Sequence, residues 1–525
     1  MPARSLDDIA AVRLVVGLEV HVELRTRAKM FAHTPSPGHP DFDAAEPNSL
    51  TDPTVLGLPG ALPVMNKNAV EMAIKVGLAL GCAIAPVAVW DRKNYFYPDM
   101  PKAYQISQYE RPLCGEGLAS ALRLDDKGTP DPDAQPVTVR ILRAHLEEDA
   151  GKLLHETPGG GPLDGSIVDL NRAGTPLLEI VTHPDFATAD DVVAFARHLR
   201  QLCRSLGVTE GVMQKGHIRF EPNINCILTL KDGTTVATPI VEVKNLNSFK
   251  SVKSAIEHER AEQPARWVRD GLVHGPGTKV TRGWDDTRNQ TYVQREKEDA
   301  HDYRYFTDPD LPPVIVDEAW LNTIRSTLAE PPADAFRRYL REFALDRKEA
   351  AALTDEPGTA RFYEEVIAAT VAAGVTRARA GRLAANAVLQ SGAKRANERQ
   401  VPVESLGITP GTIAEILALR EADSISAAAA DDLFGRYADP TEPASGPVKS
   451  LAESLGLMIV RDEATLTLWC DEVLAANPKP AEDVRAGKLQ AVGRLVGEVM
   501  RKAAGAADAK TVRDALLARL GQPPS

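Results

Sequence analysis

The sequence predicts an α+β protein whose mixed first part gives way to helices. Residues 13 to about 315 interleave alternating apolar and polar runs with helix-spaced segments, without the regular βαβ order of a parallel fold. From about Glu318 the strand signal fades into Ala-rich stretches such as EEVIAATVAAGVTRARAGRLAANAVLQ. A loop, DPTEPASGP (439–447), interrupts the helical region, and a compact helical segment follows Gly456. The predicted organisation is a mixed body over 1–315, a helical domain over 316–455 and a small helical tail over 456–525.

The elements follow from local patterns. RLVVGLEVHVEL, VTVRILRAHLEED, TPLLEIV, HIRFEPNINCILTL and TPIVEVKN read as strands. AVEMAIKVGLALG and ADDVVAFARHLRQLCRSLG read as helices. In LTLKDGTT the Asp232-Gly233 pair signals a two-residue hairpin turn, with Lys231 pairing Thr234. Carried back, that register sets Asn223 opposite Glu242 and Glu221 opposite Lys244, with Pro222 and Pro239 as the places where it would slip.

Composition excludes some function classes. The chain has 525 residues, 43% hydrophobic and 26% charged, as in ordinary globular proteins. No apolar run is long enough to span a membrane, and acids precede the first apolar run, which reads as a strand rather than a signal peptide. The five cysteines are scattered with no CxxC pair, so neither a zinc motif nor a disulfide framework is expected, and a reducing cytoplasm suits them. A formal net charge of −12 argues against nucleic-acid binding by the chain as a whole. From Val484 onward, however, eight Lys or Arg face three acids. That tail suits a polyanionic partner or, more plainly, solvated helix faces.

Strand parity sorts the acids. In VVGLEVHVEL, Val16, Leu18, Val20 and Val22 share one face, and Glu19, His21 and Glu23 share the other. In IRFEPNINC, Arg219, Glu221, Asn223 and Asn225 share the polar face. In VRILRAHLEED, Leu142, Leu146 and Glu148 fall on one side, and Arg143, His145, Glu147 and Asp149 on the other. Glu179 sits inside an apolar run, where a carboxylate is costly unless it is paired or metal-bound. A single such strand is an ordinary half-solvated one. Together with Glu242 in TPIVEVKN, these make five strands that predict a sheet surface lined with hard oxygen ligands, which favour Mg²⁺ or Ca²⁺ and point to phosphoryl transfer. No GxxxxGK[ST] phosphate loop occurs, so a nucleotide would bind to the sheet itself. The stretch DRKNYFYPDMPKAYQISQYERP (91–112), broken by Pro98 and Pro101, reads either as a packed irregular loop or as a substrate or nucleic-acid loop.

Taken in order, GLEVHVEL, EPNS, PGALPVMN, DRKNYFYPDMPKAYQISQ, HLEEDAGK, DLNRAGTPLLEIV, VKNLNSF, DYRYF and GKLQAVGRLVGEVM resemble the B subunits of the tRNA-dependent amidotransferases, the GatB family. The resemblance is dense over the first 310 residues, weak through the helical middle and clear again in the tail. It implies a cradle with an antiparallel sheet similar to the glutamine synthetase catalytic fold, and a heterotrimer with an amidase (the A subunit) and a small C subunit. It implies use of ATP and Mg²⁺ to phosphorylate the side-chain carboxylate of misacylated Glu-tRNA(Gln) or Asp-tRNA(Asn), followed by amidation with glutamine-derived ammonia. Carried over by position, the catalytic and metal candidates are Glu19, His21, Glu148, Glu179 and Glu242, with Glu147 as fallback for Glu148. Glu221, Asn223 and Lys244 are the nucleotide-side candidates. The 92–108 loop would lie at the substrate mouth, and the basic tail would hold the outer part of the tRNA.

The chain departs from the family pattern in places. Ile240 stands where a basic residue is common, Glu221 replaces the usual Asp, the cysteines of a zinc site found in some members are missing, and the helical middle lacks a frequent Asn-Trp pair. Two other readings remain: a ligase acting on a free small acid, and a tRNA-binding scaffold without catalysis.

Overall fold

The structure, a computed structural model, describes residues 4–157, 160–296, 303–459, 463–503, 507 and 509–521. Asp302 of the DYRYF motif lies outside them. The chain divides into two compact units, Met1–Ala335 and Phe336–Ser525. The first extends past residue 315 because the helix Glu318–Ser326 buries Leu321 and Ile324 in its core, and Trp320 donates its indole N–H to Glu71 at 2.9 Å.

The first unit is built on a nine-stranded sheet. Across it lie Gln290–Glu296, Val280–Asp285, Val241–Lys244, Ile218–Leu230, Ile9–Glu23, Pro176–Thr182, Val137–Glu148 and Gly117–Ala121, with Thr235–Ala237 also pairing Ile218–Leu230. Every pairing is antiparallel except that of Val241–Lys244 with Val280–Asp285. The apolar parity of each strand makes one face a core: Val16, Leu18, Val20 and Val22 meet Leu178, Ile180, Phe220 and Ile224, all buried. Three helices, Lys67–Ala79, Ala189–Ser205 and Phe249–Asp270, bury their apolar sides in the same core. Each is started by a side chain that accepts backbone N–H groups left over by the first turn: Asn66, Thr188 and Ser248.

Packing in that layer is tight at Gly77. A β-carbon there would stand 2.4 Å from Cys114 Sγ. Gly77→Val is therefore expected to destabilise the unit by about 1–3 kcal/mol through overpacking. A urea unfolding midpoint unchanged from wild type would show that the helix can shift away from Cys114 without cost.

Two sequence expectations about register change. Thr234 carbonyl accepts from Leu230 N, so the loop is three residues, Lys231–Gly233, with Gly233 at φ +86°. Leu230, not Lys231, pairs Thr234, and the pairing Ile227↔Ala237 continues that offset. Between Thr238 and Val241 one residue is inserted at Pro239-Ile240, and beyond it Asn223 faces Glu242, as expected. The turn and the bulge cancel. Pro222 causes no slip: it sits opposite Leu18 in unbroken register. In Val137–Glu148 a shift between Val181/Thr182 and their partners breaks the alternation, so Ile141 is buried with Ala144 and Leu146 whereas Leu142 is 42% exposed. Leu142 therefore does not share a face with Leu146.

In the second unit, helices such as Pro357–Ala372, Arg377–Asn386, Pro410–Glu421 and Ala427–Tyr437 surround buried rings, among them Tyr339, Phe343 and Tyr363. Ile459 N donates to Ser424 O, so the chain stays with these helices past residue 456. The last helices, from Glu463–Ala476 to Ala509–Arg519, form their own core around Cys470, Leu495, Val499 and Leu516. Four of the tail cations face acids: Lys488 with Asp483, Arg501 with Glu498, Lys502 with Glu472 and Arg519 with Asp471. All five cysteines are free and buried. Among the described residues no helix is long and apolar enough to cross a membrane.

Candidate active site

The second face of the sheet carries the acids, and strand register arranges them in rows. Residues directly opposite on antiparallel strands point to the same side. One row runs Arg219, His21, Glu179, His145. On one side of it lies Glu23, Leu177, Glu147. On the other lies Glu221, Glu19, Val181, Arg143, with Lys244 reaching Glu221 from the next strand at 2.7 Å. Beyond that, Gly17, Asn223 and Glu242 form a fourth row.

His21 is the hub. Its Nε2 lies 3.5 Å from Glu179 and 3.9 Å from Glu19, and its Nδ1 lies 3.8 Å from Glu221. His145 Nε2 approaches Glu179 at 3.6 Å. Burial alone would lower the His21 pKa, but the hydrogen bond to Glu179 and the charges of Glu221 and Glu179 raise it to about 9. Burial lowers His145 to about 4, against the pull of Glu179 and with help from Arg143. Burial and the Glu179 charge raise Glu147 to about 7, and the same two causes raise Glu19. Burial opposes ionisation of Glu179, yet the neighbouring imidazoles hold it below the usual carboxylate range. Glu221 is likewise depressed: burial is outweighed by His21 and Lys244.

The donor set fits a hard cation. Two triads, Glu19–His21–Glu221 and His21–Glu147–Glu179, each offer ligand atoms within 4.8 Å of one another. They share His21, whose buried Nδ1 has no hydrogen-bond partner among the described residues. Three or more carboxylate oxygens with one imidazole and no thiolate match Mg²⁺-like chemistry better than a structural zinc site. Binding there would need His21 to give up its proton.

A hairpin walls this face. Its strands Asp91–Asn94 and Tyr104–Ser107 pair with each other, and Phe306–Thr307 adds a third strand. Arg92 ties the three together through Asp308 and Asp310, each at 2.7 Å, while Tyr109 stacks on Tyr305 at 4.3 Å. The dense 91–112 stretch is therefore ordered structure beside the cluster, and Ser107 Oγ lies 3.5 Å from Glu147.

Residues 14–322 match the family model described as the GatB/GatE catalytic domain, and residues 365–520 match the GatB domain model. The chain belongs to the GatB family. It is 41% identical over 510 residues to the aspartyl/glutamyl-tRNA(Asn/Gln) amidotransferase B subunit of Thermosynechococcus vestitus, covering 96% of each chain. It is 40% identical to the protein of the same name from Janthinobacterium sp., over 97% of this chain and 99% of the relative. The Rhodopirellula baltica protein of that name is 38% identical over 94% and 93%. The GatB/GatE catalytic match spans all four rows of the site.

Of the residues the sequence pointed to, the structure brings together Glu19, His21, Glu179 and Glu221, with Lys244 alongside. Asn223 stands in the adjacent row with its Oδ1 buried and unpartnered. Glu242 is almost fully buried, accepts from Thr281 at 2.9 Å and lies 3.9 Å from Lys244. Glu148 is not brought into the cluster. It points away from Glu147, where Lys102 and the Ile106 N–H (2.9 Å) take its carboxylate. The fallback residue, Glu147, occupies the ligand triad instead. His145, Lys93 and Tyr305 were missed by sequence reasoning. Parity with Glu147 was the available signal for His145, whereas Lys93 and Tyr305 lie in the 91–112 stretch and the DYRYF motif, where nothing set them apart from their neighbours.

Proposed function

We propose that this GatB-family chain is the kinase and transamidation subunit of a tRNA-dependent amidotransferase. It phosphorylates the side-chain carboxylate of misacylated Glu-tRNA(Gln) or Asp-tRNA(Asn) with ATP, then lets ammonia displace the phosphate. The observation that carries this reading is the set of carboxylates converging on His21 over one sheet face, in a chain about 40% identical to proteins named for that reaction. The reading includes a glutamine synthetase-like cradle, a partner amidase (the A subunit) that releases ammonia from glutamine, a small C subunit, and work in the cytoplasm.

In the first step a carboxylate oxygen attacks the γ-phosphorus, the bond to the ADP oxygen breaks, and ADP leaves. In the second, ammonia attacks the acyl carbon, the carbon–oxygen bond to phosphate breaks, and nitrogen loses a proton. Glu19, His21, Glu147 and Glu179, with Glu221 adjacent, would hold Mg²⁺, which when bound neutralises charge on the phosphoryl oxygens. Lys244, held by Glu221, suits a nucleotide phosphate, and the buried Oδ1 of Asn223 suits a hydrogen-bond donor or the cation. The hairpin at 91–107 shields the acyl phosphate from water.

The test supplies the assembled complex with misacylated tRNA, ATP, Mg²⁺ and ammonia. Gln-tRNA or Asn-tRNA should form only with ATP, and EDTA should stop it. Amide formed from free glutamate without tRNA would instead support a small-molecule ligase, and tRNA binding with no turnover would support a scaffold.

A further inference from the structure

We infer that Arg143 is a further catalytic residue, a clamp on the phosphoryl group being transferred; this rests on the function proposed above. The row Glu221, Glu19, Val181, Arg143 has a cation at each end, Lys244 and Arg143. They are not equivalent. Lys244 is neutralised by Glu221 at 2.7 Å. Arg219 and Arg172, the other guanidinium groups near the cluster, both face Asp149, at 3.2 and 3.6 Å. The charge of Lys93 is felt by Glu147 and Glu179.

Arg143 has no carboxylate within ion-pair distance among the described residues. Its Nε is buried and makes no hydrogen bond. What holds it is uncharged: the Tyr109 carbonyl at 3.5 Å from one terminal nitrogen, and the Tyr109 ring with Cζ 5.7 Å from its centroid. The other groups its charge reaches, His145 and Tyr305, carry no carboxylate. A guanidinium oriented by a ring and a carbonyl but left without a counter-anion is prepared for one that arrives.

The chemistry names that anion. When the substrate carboxylate attacks the γ-phosphorus and the bond to ADP breaks, negative charge spreads over the three equatorial phosphoryl oxygens. In the second step it collects on the departing phosphate. The acids on this face cannot stabilise that charge, and Arg143 stands at the opposite end of the row from Lys244, with Glu221 and Glu19 between them. Its planar fork matches two phosphoryl oxygens, so it contributes most where the charge develops.

Arg143→Ala and Arg143→Lys in the assembled complex test this, with misacylated tRNA, ATP and ammonia. Arg143→Ala should lower kcat by about 10²-fold with little change in KM for tRNA. Arg143→Lys, which keeps the stem and the charge but not the fork, should recover only a small part. Guanidinium ions added to Arg143→Ala should restore turnover in proportion to their concentration, which a folding role would not produce. Retention of wild-type kcat by Arg143→Ala overturns the assignment, as does a loss confined to KM for tRNA, which would place Arg143 on the RNA backbone. Absence of ATP-dependent amidation in the wild-type complex would refute the function itself, separately from Arg143.

Discussion

Replacing Glu179 with glutamine is expected to lower ATP-dependent amidation by about 10³-fold while glutaminase activity of the complex survives. Glu179 sits between two imidazoles, 3.5 Å from His21 and 3.6 Å from His145, and supplies an oxygen to one of the two ligand triads. Burial opposes its ionisation, yet the His145 and His21 imidazoles hold its carboxylate below the usual range. Glutamine keeps the volume but removes that charge. His21 then loses the charge that favours its protonated form, and the triad keeps two strong donors instead of three. Amidation rates and the Mg²⁺ concentration for half-maximal rate should both be measured, the second rising. Glu179→Asp, one methylene shorter and still charged, separates lost charge from lost shape and should retain more activity. Turnover by Glu179→Gln within a few-fold of wild type would remove Glu179 from the metal site.

The adjacent pair Glu147 and Glu148 should part in behaviour as they part in space. Glu147 faces the cluster, its pKa raised to about 7 by burial and the Glu179 charge, and Glu147→Gln should reduce turnover strongly with an unfolding midpoint close to wild type. Glu148 lies on the core side of the same strand. Its carboxylate pairs with the almost fully buried Lys102 and accepts the Ile106 N–H, and its carbonyl accepts from Gln105 at 2.7 Å. Glu148→Ala leaves Lys102 buried without its counter-charge, a loss of about 3–5 kcal/mol in comparable cases. The expected result is a lower unfolding midpoint and earlier proteolytic cleavage within 95–103. A double substitution, Glu148→Ala with Lys102→Met, should recover much of the stability because it removes the orphaned charge as well. If Glu147→Gln were active and Glu148→Gln inactive with an unchanged midpoint, Glu148 would be the ligand and the side chains would have to exchange places in the working enzyme.

Much of the sheet could be read from alternation alone. GLEVHVEL places two valines and two leucines in the core and Glu19, His21 and Glu23 on the opposite face, and the structure keeps that division throughout this stretch. The pairing of Asn223 with Glu242 was also legible, although for an incomplete reason: the Asp232-Gly233 turn is one residue longer than expected, and Pro239-Ile240 absorbs the extra residue. What alternation could not show was the irregularity at Leu142. That residue looks like its neighbours, and only the neighbouring strand Pro176–Thr182 shows where the register shifts.

Away from the irregularity at Leu142, the sequence by itself determined which residues share a face, because side-chain direction along an unbroken strand follows the backbone period. It therefore determined that Glu147 and Glu148 diverge. It could not determine which of them meets His21, since that depends on which strands are neighbours and in what register, a property of contacts between residues 21, 147 and 179. Tertiary structure decided it. Placing Pro176–Thr182 between Ile9–Glu23 and Val137–Glu148 sets His21, Glu179 and His145 in one line and Glu147 beside it, while Glu148, on the other side, pairs with Lys102.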